Sequence, residues 1–65
     1  MTKEDVLKTV ERIRESAGDN EIAHSLEDSL YLNVLMAIAT GAENASELAE
    51  AALNTQDIDF QRWCS

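Results

Sequence analysis

Sixty-five residues carrying 13 acids against five lysines and arginines make one small domain with a net charge of −8. A chain of this length buries only about 60% of the surface it exposes when unfolded, which leaves little room for an enclosed substrate cleft. Direct binding to DNA, RNA or an anionic membrane runs on Lys and Arg contacts to phosphate and is excluded by this charge, whereas a basic protein surface is favoured as partner.

Val6, Val10, Ile13 and Ala17, with Leu7 beside them, recur at the spacing of an amphipathic helix. Thr2 stands where an N-cap belongs, acids fill the first turn and Gly18 offers a C′ stop, which predicts a helix over 3–17. Its bases lie three or four residues from acids, as in Glu4–Lys8, Asp5–Lys8 and Glu11–Arg14, so its positive charge is mostly neutralised within the helix. Asp19 then caps a second helix over 20–40, closed by Gly41, with Ile22, Leu26, Leu30, Val34 and Ala37 along one face. Beyond residue 30 this helix is apolar nearly all round, the pattern of a central post flanked on both sides at its C-terminal end. Asn33 lies near that apolar stripe and is expected to satisfy a backbone group.

Asn44-Ala-Ser-Glu47 resembles a capping box and predicts a third helix over 44–54 with Leu48, Ala49, Ala52 and Leu53 inward. Thr55-Gln-Asp57 restarts a short last element over 56–63, whose Ile58, Phe60 and Trp63 would close the open end of the core. The expected fold is all-α, a compact bundle of three helices plus a short C-terminal fourth helix or turn.

The segment HSLED, residues 24–28, places Glu21, His24 and Asp28 on one helical face. Metal sites use such spacings, but His24 is the only histidine and no thiol lies nearby, so zinc would have to be held on an exposed face by one nitrogen and carboxylates. A hydrolase needs a nucleophile, a base and an orienting group in a shielded pocket, and Ser25 and Ser29 read as helix-surface serines. No catalytic, metal or cofactor site is expected. Cys64 is the single cysteine, which excludes an internal disulfide and suits a reducing cytosol, although a thiol so near the end could cross-link two chains. The opening MTKEDVLKTVER lacks the apolar run of a signal peptide, and the stretch YLNVLMAIA falls far short of the ~20 residues that span a bilayer. A soluble, cytoplasmic chain is expected, and the net charge points to a monomer.

From Glu15 to Gln61 the chain has ten carboxylates and no Lys or Arg. Asp19, Glu21, Glu47 and Asp57 stand at helix starts, where the dipole favours them, and Asp59 can pair with Arg62. Glu15, near a helix C-terminus, lacks such a local reason, as do Glu27, Asp28, Glu50 and Glu43. These five are the first candidates for a partner-binding surface, and Glu47, Asp57 and Asp59 join them. One physical reading is mimicry of a nucleic-acid backbone. Duplex DNA carries a charge every ~1.7 Å of axis, and a helical stripe of acids one every ~5–6 Å, so several helices would have to share one acidic face.

In size, helix pattern and acidity, and in the stretches HSLEDSLY and IDFQRWCS, the whole chain resembles the small acidic inhibitors carried by phages and mobile elements, the anti-CRISPR proteins. It is most similar to a helical type I-C inhibitor of this length. These inhibitors share no common motif, so the resemblance assigns no residue a role. What it implies is a partner, the CRISPR surveillance complex (Cascade), whose basic DNA-binding groove such a protein would block in the bacterial host cytoplasm. The alternative expectation is a small helical adaptor or antitoxin-like protein that docks through apolar residues near the C-terminus, at the Phe60–Trp63 end.

Overall fold

The computed structural model describes residues 1–60. They form three α-helices, α1 (Lys3–Glu15), α2 (Asn20–Ala39) and α3 (Ala45–Ala52), and a 3-10 segment, Leu53–Asp57, that continues α3 without a break. The all-α class expected from the periodicity is the observed one.

The helix boundaries follow from their caps. The Thr2 hydroxyl accepts from the Asp5 N–H at 3.2 Å while the Asp5 carboxylate accepts from the Thr2 N–H at 3.0 Å, a complete capping box. That backbone bond, and after it the Thr2 side chain, holds the Asp5 carboxyl below its usual pKa. The Asp19 carboxylate caps α2 through the Ile22 N–H at 3.2 Å. At the other end Gly41, with φ of 95°, donates to the Ile38 carbonyl, and Ala42 donates to the Ala37 carbonyl, which is the pairing of a Schellman motif. The Thr40 hydroxyl adds bonds to the Met36 and Ala37 carbonyls.

Gly18 behaves differently from expectation. α1 closes earlier, at Ser16, whose N–H reaches the Arg12 and Ile13 carbonyls, and Gly18 keeps a negative φ. A Cβ at either glycine would meet nothing within 4 Å, so only backbone conformation separates the two positions. Gly41→Ala should therefore lower stability by about 1–2 kcal/mol. Gly18→Ala should leave it unchanged or raise it by about 0.4–1 kcal/mol, through the entropy of the unfolded chain. Urea titrations of the two variants check the pair.

Asn44 is the N-cap of α3, but its side chain makes no capping bond. It turns away to donate to the Met1 carbonyl at 3.4 Å, so the expected capping box is absent. The short last element, expected as a helix or turn over 56–63, is a 3-10 segment that begins earlier and joins α3. The 3-10 segment stops at Asp57 and Ile58 is extended, with φ −89° and ψ 126°; residues 61–63 lie outside the described residues.

One core gathers Val6, Val10 and Ile13 of α1, Ala23, Leu30 and Val34 of α2, Leu48, Ala51 and Ala52 of α3, and then Ile58 and Phe60. Each fully buried aliphatic side chain contributes about 1.5–3 kcal/mol. α1, α2 and α3 each pack against the other two, so no single helix is the central post. Length explains the correction. The 20 residues of α2 extend about 30 Å, whereas the 13 of α1 and 8 of α3 reach only about 20 and 12 Å, too short to enclose α2 along its whole length. Leu32, Leu35 and Met36, expected to be enclosed, are 58%, 64% and 57% exposed. Asn33 is exposed as well.

Candidate functional site

Of the eight acids read as a partner-binding surface, seven are exposed: Glu15, Asp28, Glu43, Glu47, Glu50, Asp57 and Asp59. Glu27 is the exception and the correction. It is 3% exposed, in line with Ala23, Leu30 and Val34 on the inward face of α2. Its carboxylate is held inside the molecule, where no buried side-chain oxygen or nitrogen among the described residues lacks a hydrogen-bond partner. Glu27 therefore offers no charge to a partner.

The three helices touch pairwise around one core, so their outward faces diverge. Glu15 belongs to the outer face of α1, where Lys8 and Arg12 interrupt the acids and Arg14 pairs with Glu11 at 3.5 Å. The expected Glu4–Lys8 and Asp5–Lys8 pairs are not formed; Asp5 is engaged with Thr2 instead. Asp28 belongs to the outer face of α2 and lies 3.6 Å from His24 Nε2. Asp59 is exposed, and its expected partner Arg62 lies outside the described residues.

Of the exposed candidates, Glu47 and Glu50 are the two that one helix face brings together. Glu47 and Glu50 lie about one turn apart on the outer face of α3, Glu43 precedes them in the turn, and Asp57 and Asp59 follow. No cation interrupts the sequence between Glu43 and Asp59. Their spacing along α3, about 5 Å, is three times wider than that of DNA phosphates. This stretch can meet a few cationic side chains and does not copy a duplex at full density.

The second surface is apolar. On the outer face of α2, Leu32, Leu35, Met36 and Ala39 follow at i, i+3, i+4 and i+7 and are all exposed. This is a second apolar stripe, on the opposite side of the helix from Leu30 and Val34. Beside it a groove of about 280 Å³ runs between α2 and α3, with Val34 and Ala52 buried in its floor and the exposed Leu35 and Leu53 on its rims. Tyr31 also lines the groove, and its hydroxyl is tied to Thr55 Oγ1 and accepts from Gln56 Nε2 at 2.8 Å.

Two residues exchanged the roles expected of them. Leu53, expected inward, is 60% exposed, and Thr55, read only as a restart signal, is fully buried. The buried run is Leu48, Ala51, Ala52, Thr55, a regular i, i+3, i+4, i+7 face in which a threonine fills the last place and bonds its hydroxyl to Tyr31. Phe60, offered as a docking residue, is 8% exposed and belongs to the core; Trp63 and Cys64 lie outside the described residues.

Among the described residues, no three His, Cys, Asp or Glu side chains are grouped so as to hold a metal ion, and no helix is long and apolar enough to cross a membrane. The chain matches no protein-family model, and no curated protein or solved structure is significantly similar to it.

Proposed function

We propose that this chain is a non-enzymatic acidic inhibitor that occupies a basic, nucleic-acid-binding surface of another protein. The target to which the sequence resemblance points is the DNA-binding groove of a type I CRISPR surveillance complex, inside a bacterial host cell. One observation carries the reading. Nine exposed acids stand from Glu15 to Asp59, and no lysine or arginine separates them. Solubility is served equally well by interspersed charges of both signs, whereas attraction to a cationic groove requires a single sign. The densest group, from Glu43 to Asp59, has the width of one short helix and its extension, and suits a local set of Arg or Lys side chains that would otherwise hold phosphates.

The test is competition. The purified protein should displace target DNA from a type I-C surveillance complex at low ionic strength, with an affinity that falls steeply as salt is raised. Combined substitution of Asp28, Glu47 and Glu50 by lysine should weaken displacement at least tenfold while the far-ultraviolet circular dichroism stays helical. Unchanged DNA binding by the complex at low salt would sink the proposal.

A further inference from the structure

We infer that the α2–α3 groove and the apolar outer stripe of α2 together seat an amphipathic helix of the target protein, whose apolar side chains enter the groove and whose flanks carry lysine or arginine. The groove is open to solvent, and its volume of about 280 Å³ lies just below the ~300–1,000 Å³ typical of ligand pockets. It is instead suited to side-chain knobs. The rim residues Leu35 and Leu53 project beside buried Val34 and Ala52, and the stripe of Leu32, Leu35, Met36 and Ala39 has the two-turn repeat through which helix-in-groove contacts are read. Tyr31, fastened to the 3-10 segment through Thr55, lines the groove as a fixed wall.

Charge selects the occupant. Residues 29–42 contain no ionisable acid or base other than Tyr31, and the run is bounded by Asp28 before it and Glu43 after it, while Glu47 and Glu50 stand on the neighbouring helix. A second copy of the chain would bring these acids against their own counterparts, with a net charge of −8 on each side. A helix with basic flanks finds opposite charge at both ends of the groove and no charge in the middle, where it must be dry. The choice of basic flanks rests on the acidic-inhibitor reading above; the apolar part of the argument does not.

The probe is a synthetic helical peptide with leucines at i, i+3, i+4 and i+7 and lysines on both flanks. It is compared with a twin carrying glutamates in place of the lysines and with a scrambled peptide of the lysine composition. Binding is read by amide chemical shifts and fluorescence anisotropy. The lysine peptide should bind and shift residues 31–38 and 49–53. Leu35→Ser combined with Leu53→Ser, both at exposed positions, should weaken it at least tenfold, and Ile22→Ser, at an apolar position that is equally accessible but away from the groove, should not. Equal binding of the scrambled peptide, or shifts confined to the acids with the groove silent, would overturn the inference. So would concentration-dependent dimerisation abolished by Leu35→Ser, which would give the groove to a second copy. Successful DNA competition with a peptide-blind groove removes this inference alone; a responsive groove without DNA competition removes the acidic-inhibitor reading alone.

Discussion

Glu27→Lys should cost about 3 kcal/mol or more and leave the chain largely unfolded, whereas Asp28→Lys, one residue on, should change stability by less than about 0.5 kcal/mol. Sequence alone gives the two acids the same standing. The fold separates them, because Glu27 is 3% exposed among core side chains and the Asp28 side chain is 67% exposed. Inverting a buried charge removes the interaction that accommodates it and strands an ammonium where a carboxylate was held. At the surface the same inversion costs little more than the weak attraction to His24. Thermal unfolding followed at 222 nm checks both. Equal midpoints for the two variants would show that Glu27 is not enclosed. The contrast also guards the competition experiment, since loss of DNA displacement in a Glu27 variant would report unfolding and not a lost contact.

Leu48→Ala should remove about 2–5 kcal/mol. Leu48 is fully buried and belongs to the core that joins all three helices. At roughly 0.05–0.15 kcal/mol per residue, a chain of 65 residues has about 3–10 kcal/mol of stability in total, so this truncation takes a large share of it. In a domain this small each kilocalorie moves the melting midpoint by about 4–8 °C, and a fall of 10 °C or more is expected. Leu53→Ala is the internal control. Leu53 is 60% exposed, and the same chemical change there should stay within about 0.5 kcal/mol.

Signals that act over three or four residues were legible. Thr2 and Asp5, Asp19, and Gly41 mark their helix ends through direct backbone chemistry, and the stripe of Val6, Val10 and Ile13 names the inward face of α1 because every other direction on that helix is polar. Faces defined by small or ambiguous residues were not. On α2 the larger Ile22 drew attention to one side, but the buried position is the neighbouring Ala23, and Ile22 is 50% exposed. Alanine weighs little in a hydrophobic pattern, and Glu27, four residues further along the same inward line, reads as surface by its charge. The same confusion shifted the face of α3, where Ala51 and Thr55 are buried and Leu53 is not. The candidate acids were found by counting cations, a property of sequence. Their division among diverging faces depends on how α1, α2 and α3 meet, and no local spacing encodes that.

The tie between Tyr31 and Thr55 joins residues 24 positions apart, and Tyr31 is the only tyrosine in the chain. The phenol thereby becomes a label-free optical gauge. Its near-ultraviolet band moves when the hydroxyl gains or loses a bonded neighbour, and derivative spectroscopy resolves that band from the single indole. Seating of the segment after α3 can thus be followed in the unlabelled protein, apart from the melting of the helices themselves.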